Sequence, residues 1–222
     1  MREFSSGGLA GVWAAENTRE SIFAAMQRRE TFGTSGPHIQ VRFFGGWEFA
    51  SADAASGDVA SAGYRKGVPM GSSLAPRGTA KAPTFLIAAA TDPGSGNLDR
   101  VQVVKGWVDA AGAQHEKIYD VVWSGDRKPD AGTGKLPPVG DTVDVRKATY
   151  ANTIGAAQLA TAWTDPDFDP AAHALYYARV LEIPTPRWST RDAVALGIAV
   201  PDGIPATIQE RAWSSPIWYT PK

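Results

Sequence analysis

A chain of 222 residues that is 43% hydrophobic and 20% charged is long enough to bury a substantial core and has an ordinary globular composition. Lysine plus arginine number 22 against 23 aspartates plus glutamates, and no basic run stands out, so nucleic acid is not an expected partner. The absence of cysteine excludes disulfides and thiolate metal sites, and no apolar run approaches the ~20 residues of a membrane-spanning helix.

The N-terminal stretch Met1–Gly8 lacks the apolar core of a secretory signal, which leaves the compartment of any longer parent protein open. Asn17 and Glu20 have the spacing of a capping box, and Ile22, Phe23 and Met26 then recur on one face. This predicts a helix over 18–30, closed by Arg28 and Arg29, whose charge complements the C-terminal dipole. So amphipathic a helix, so early in the chain, calls for a partner surface. Thr34-Ser35-Gly36-Pro37 reads as a turn.

From His38 to Phe43 polar and apolar residues alternate, which predicts a half-buried strand with Ile39, Val41 and Phe43 inward and His38, Gln40 and Arg42 outward. Gly45-Gly46 is expected to break or bulge it. Residues 51–82, dominated by Ala, Ser and Gly, read as a long loop or lid. Strands are predicted at 84–90, at 100–108 and 117–123 as a hairpin, and at 174–183. Residues 124–140 form a second long excursion, and 141–145 a short edge strand. Residues 156–163 have helical composition, and 190–196 reads as a short helix with Thr190 as N-cap and Gly197 as C-cap. Strands close the chain at 209–213 and 216–219. With 23 Gly, 16 Pro and eight Trp, and without long helices between strands, the expected fold is mainly β, an antiparallel sandwich.

Groups able to build a catalytic site are sparse. His38, His115 and His173 lie far apart, and neither His-x-His nor His-Glu-x-x-His occurs. Asp165, Asp167 and Asp169 resemble the opening of a calcium loop, but Pro170 stands where that loop needs Gly and Tyr176 where it needs Glu, so an Asp-Pro turn is the better reading. Gly132-Thr133-Gly134-Lys135 fails as a phosphate loop because Leu136 replaces the magnesium-binding hydroxyl. No Gly-x-Ser-x-Gly elbow occurs. Trp47, Trp107, Trp123, Trp163, Trp188, Trp213 and Trp218 are candidates for sugar-stacking platforms, against the plainer reading that they pack the core.

Several blocks nevertheless carry a resemblance. Gly8–Trp13, Glu16–Phe23, Arg29–Pro37, Val41–Trp47, Val104–Trp107, Thr164–Pro170, Tyr176–Glu182 and Ser214–Tyr219 are similar, in order and over nearly the whole chain, to the domain-of-unknown-function 3604 family. That resemblance implies a relation to the polymerase-and-histidinol-phosphatase (PHP) metallohydrolases: a distorted β/α barrel holding divalent metals, followed by a β-rich segment. The His-x-His and later Asp/His ligand motifs of such a barrel are not in this sequence, so no metal ligand and no catalytic residue is carried over.

The expectation is therefore a C-terminal fragment. Residues 1–36 are the remnant of the barrel, with one helix and the strand after it, and 37–222 a sandwich-like accessory domain. The chain itself is expected to be catalytically silent and to hold no cofactor, with a divalent metal in the parent and the upstream barrel as its partner. Thr34, Ser35, Gly36 and Arg42 are the candidates for the rim of the parent's substrate site. The alternative is a free-standing sandwich that binds carbohydrate through exposed Trp. The two differ on one point: the first leaves Ile22, Phe23 and Met26 bare, the second covers them.

Overall fold

The computed structural model describes residues 7–77, 81–200 and 202–221. The beginning of the predicted barrel remnant (1–6) and part of the predicted lid (78–80) lie outside the described residues.

The chain opens with β1 (Leu9–Val12), α1 (Arg19–Gln27), β2 (Thr31–Thr34) and β3 (Gln40–Gly46). α1 begins one residue later than the capping box suggested: Thr18 is the N-cap, accepting the Ser21 amide at 3.3 Å. It ends at Gln27, because Arg28 is the C-cap and Arg29 turns into the left-handed region at φ 59. That conformation costs a non-glycine residue about 1–2 kcal/mol. It is held by backbone bonds from Arg29 to Met26 and Glu30 to Ala25, and by the Arg29 Nε bond to the Gly71 carbonyl at 2.9 Å.

In β3 the alternation holds, with Ile39, Val41 and Phe43 fully buried. Gly45-Gly46 does not break the strand but stays paired with Phe85 and Thr84 of the next long strand. Close approach explains the glycines: a Cβ at Gly46 would lie 2.7 Å from the Phe49 ring and 3.0 Å from the Lys66 carbonyl.

The described part of the segment read as a lid carries regular structure instead. It holds α2 (Ser51–Ala55), α3 (Val59–Lys66), β4 (Gly67–Pro69) and β5 (Ser73–Leu74). Its small residues are there for contact: a Cβ on Gly63 would come within 2.4 Å of the Phe44 ring. Asp58 caps α3 through the Ser61 amide at 3.1 Å, and Lys66 meets Asp53 of α2 at 2.6 Å. The two helices thereby cover Phe44 and Leu86, forming a small second core with Phe49 and Ala62.

Next come β6 (Thr84–Ala90), β7 (Leu98–Val108), β8 (Gln114–Trp123) and β9 (Gln158–Thr164). The 124–140 excursion has no regular strand or helix and is pinned by Arg127, which meets Asp99 at 2.6 Å. The expected edge strand at 141–145 reduces to an isolated bridge between Asp144 and Thr149. The alanine-rich run at 156–163 is a strand, not a helix. It points Leu159 inward and Ala162 to the helix-covered side, and residues 158–164 pair with β6 along their whole length, so tertiary pairing overrides helical propensity.

The chain ends with β10 (His173–Glu182), β11 (Thr185–Pro186), α4 (Trp188–Leu196), β12 (Thr207–Ile208), β13 (Arg211–Ser214) and β14 (Ile217–Tyr219). Gly197 closes α4 at φ 64, as expected, but the helix starts earlier, with Arg187 rather than Thr190 in the capping position.

Two sheets face each other. The larger runs β1-β2-β13-β10-β14-β5 with β7 and β8 branching from β10; the smaller runs β4-β3-β6-β9. Pairing is antiparallel except for β14 with β5, which is parallel. The core lies between them: Phe43 stacks on Phe85 at 5.3 Å, and Phe85 meets Tyr176 of the opposite sheet at 4.4 Å. The fold is thus mainly β, as expected. β1 and β2, on either side of α1, belong to the larger sheet, because β2 pairs with β1 and, through Thr34, Gly33 and Phe32, with β13.

One edge of the sandwich is clamped by a buried ion pair. Lys105 Nζ lies 2.7 Å from Asp165 Oδ2 and donates to the Asp167 carbonyl at 2.7 Å; Tyr176 donates its hydroxyl to the same Asp165 oxygen at 2.8 Å. Burial, followed by the Asp165 charge, pushes the Tyr176 pKa up.

A cleft with two guanidinium groups

Two elements that the sequence sets apart, the end of α1 and the outer face of β3, meet α3 around one carboxylate. Glu30 is 3% exposed. Tyr64 of α3 donates its hydroxyl to Glu30 Oε1, and Arg42 of β3 donates to that hydroxyl oxygen at 3.2 Å while standing 3.9 Å from Glu30. Arg28, at the end of α1, reaches the other carboxylate oxygen at 3.5 Å. Partial burial, then the bond to Glu30, raises the Tyr64 pKa, so the phenol keeps its proton and donates.

The Arg42 guanidinium carbon lies over Trp13, 3.5 Å from the ring centroid, and Trp13 is itself fixed by its indole bond to the Val41 carbonyl at 2.8 Å. These groups, with Ala14, Ala15, Pro69 and Ser72, line a cavity of about 630 Å³. On the other side of Arg42 and Trp13 lies a smaller cleft of about 240 Å³ over the alanines of β6 and β9.

Of the rim candidates, only Arg42 faces this cavity. The turn is engaged elsewhere. Ser35 donates to the Glu210 carboxylate and accepts the Arg211 amide at 2.9 Å, Thr34 is 6% exposed and accepts the Gly36 amide at 3.2 Å, and Gly36 holds φ 148. The Ser35 hydroxyl thus ties the turn to the chain around β13, while the Thr34 hydroxyl closes the turn on itself.

The residues outlined above do not assemble a metal centre. Among the described residues no group of three or more His, Cys, Asp or Glu is placed to hold an ion. His38 pairs with Asp92 at 3.1 Å and His115 with Asp109 at 2.7 Å, in different parts of the molecule. The aspartates of the calcium-like run diverge: Asp165 turns inward to Lys105, Asp167 bonds Lys117 and Tyr119, and Asp169 caps its own turn at Ala171. The Asp-Pro turn reading fits them.

Sequence reading missed Glu30, Tyr64 and Arg28 as partners. The available signal was faint: one carboxylate between a helix end and the strand Thr31–Thr34, and one Tyr in an otherwise small-residue segment. It also missed Glu182, the last residue of β10, which is fully buried with Oε1 unpartnered among the described residues. Ser95 donates to its other oxygen at 2.6 Å. Burial, reinforced by the Glu210 and Asp92 charges and opposed by the bonds from Ser95 and the Gly96 amide, pushes its pKa up to about 7.

The fold and cleft define a two-sheet antiparallel β-sandwich with a helical cap and a guanidinium-lined pocket. A family model described as protein of unknown function (DUF3604) matches residues 1–221, and the chain belongs to that family. Neither the curated proteins nor the solved structures contain a match to it.

Proposed function

We propose that the chain is the non-catalytic, C-terminal sandwich of a larger protein resembling PHP-type metal-dependent hydrolases, and that it docks onto the upstream barrel through α1. The observation that carries this is the bare face of the helix. Phe23 is 60% and Met26 55% exposed, and Ala25 is the one fully buried residue of α1. Together with Ile22 and the stems of Arg19 and Glu20 they line a hollow of about 570 Å³. An apolar helix face of this kind gains by being covered, at roughly 25 cal/mol per Å² of apolar area removed from water. Since β2 is hydrogen-bonded to β13, the junction with a barrel in this reading falls before β1 rather than at residue 36. Metal-assisted phosphoester hydrolysis, with its divalent ion, belongs to that barrel; this chain positions or shields it.

Two measurements test the reading. Translating the DNA upstream of Met1 in frame is expected to give a segment carrying His-x-His and Asp/His motifs; a stop codon directly upstream removes the barrel. Light scattering of the isolated chain is expected to show concentration-dependent self-association that Phe23→Ser with Met26→Ser abolishes. A strictly monomeric wild-type chain at high concentration argues that the face needs no cover.

The second reading, a free-standing sandwich that binds carbohydrate, is favoured by the cleft beside Trp13 and Arg42. Its expected platform of exposed tryptophans does not form: all eight Trp are half-buried, and several are engaged in ring contacts, such as Trp47 with Phe168 and Tyr219, or Trp163 with Phe85 and Tyr119. Recognition in that case falls to the polar groups of the cleft.

A further inference from the structure

Charge and hydrogen-bond capacity do not balance in the Glu30 cleft. Two guanidinium groups border one carboxylate, and Glu30 is the only acid among the residues lining the cavity. Glu30 is already satisfied: Tyr64 occupies one oxygen and Arg28 the other. Arg42 keeps only a long 3.9 Å contact to it, and spends one N–H on the Tyr64 oxygen. Its Nε and Nη2 hydrogens have no acceptor among the described residues, nor do those of Arg28 beyond its bond to Glu30. Arg42 is nevertheless held in place, its guanidinium carbon over the Trp13 ring and its side chain only 25% exposed. A preorganised, half-buried guanidinium with unspent donors on the wall of a cavity is suited to a ligand oxyanion, which it receives bidentately.

We propose that this cleft binds an acidic sugar unit, with its oxyanion group on Arg42 and Arg28. The proposal rests on the carbohydrate reading above and specifies its ligand class. The cavity of about 630 Å³ falls within the ~300–1,000 Å³ range of small-molecule sites. The rest of its lining suits a sugar ring: Ser72 offers a hydroxyl partner, while Ala14 and Pro69 offer apolar contact for the ring's C–H face. One uncompensated positive charge selects a ligand carrying one negative charge. A neutral sugar leaves the Arg42 donors to water and gains nothing from them.

The test is calorimetric titration of the purified chain with glucuronate, glucose and inorganic sulfate, at low and at 0.5 M salt. Glucuronate is expected to bind, at least tenfold more tightly than glucose or sulfate, and to weaken as salt screens the pair. Arg42→Ala is expected to lower its affinity at least tenfold, and Arg42→Lys to recover only part, because an ammonium lacks the planar fork. Arg28→Ala, at a side chain 55% exposed, serves as a second variant that leaves the fold alone, with an expected loss of several-fold. Glucose binding as tightly as glucuronate overturns the proposal but leaves the carbohydrate reading standing. Sulfate binding as tightly as glucuronate shows an anion site without sugar recognition and also overturns it. Absence of binding by all three overturns both the proposal and the carbohydrate reading, as does glucuronate binding that Arg42→Ala and Arg28→Ala leave unchanged.

Discussion

The sandwich contains two clusters in which a carboxylate meets a tyrosine and cations, and they are built to opposite ends. Around Asp165 everything is closed. Lys105 and Asp165 side chains are 4% and 0% exposed, and the ammonium, the carboxylate and the Tyr176 hydroxyl are all paired with one another or with backbone. Around Glu30 only the carboxylate is closed, while the guanidinium groups at its sides are 25% and 55% exposed with donors to spare. A closed cluster holds two sheets together and offers nothing to a ligand. An open one gives up some of its interaction energy to water and keeps a surface that a ligand can complete. Carboxylate, phenol and cation thus close one place and leave the other open, and unspent hydrogen-bond capacity is what separates them.

The largest effect is expected at the closed end. Asp165→Ala leaves the Lys105 ammonium buried without its partner, which costs on the order of 3–5 kcal/mol. Urea unfolding is expected to show that loss, and a change below about 1 kcal/mol would mean that water reaches Lys105.

Glu182 stands against both clusters, since it is buried as deeply as Asp165 but among the described residues pairs with no cation and leaves one oxygen unpartnered. Its pKa in the folded chain, about 7, stands above the ordinary 4.5, so between those values the folded state holds a proton that the unfolded state has released. Stability from this group is therefore full below about pH 4.5 and is lost as pH rises through 7, by on the order of 3 kcal/mol. Thermal melts from pH 5 to 8 are expected to fall for the wild type relative to Glu182→Gln, which cannot ionise. Parallel pH profiles for the two proteins would locate the titration elsewhere.

The smallest effect belongs to the open end. Arg42→Ala removes a cation–π contact worth about 0.5–2 kcal/mol and one hydrogen bond to Tyr64. It is expected to lower stability by roughly 1 kcal/mol in urea titration. A loss as large as that for Asp165→Ala would place Arg42 with the closed cluster.

Much of this was legible in the residues, unevenly. The alternation from Ile39 to Phe43 identified its strand and its inward face, because a half-buried strand repeats every second residue whatever surrounds it. The hairpin of β7 and β8 and the long β10 were visible for the same reason. The run at 156–163 was not: alanine is a good helix former, and its strand state comes from pairing with β6 and from the need for small side chains beneath the helical cap. Residues 51–66 hid their helices because Ala, Gly and Ser signal flexibility in sequence but close packing against Phe44 in space. In the candidate site, Arg42 was read correctly as outward-facing. Its partners Trp13, Glu30 and Tyr64 come from β1's following loop, the end of α1 and α3, and no local pattern links such positions.

Read alone, the residues gave the strand-rich, antiparallel class, the start of the first helix to within a residue, the apolar stripe on that helix, and the family. All of these rest on local periodicity, caps or motif order, which neighbouring residues encode. Only the tertiary structure decided that β1 and β2 belong to the larger sheet, that the alanine-rich runs are cap and strand, and which charges are closed and which open. Those outcomes depend on which residues far apart in the chain share one volume, and burial and hydrogen-bond satisfaction are properties of that volume rather than of any stretch of chain.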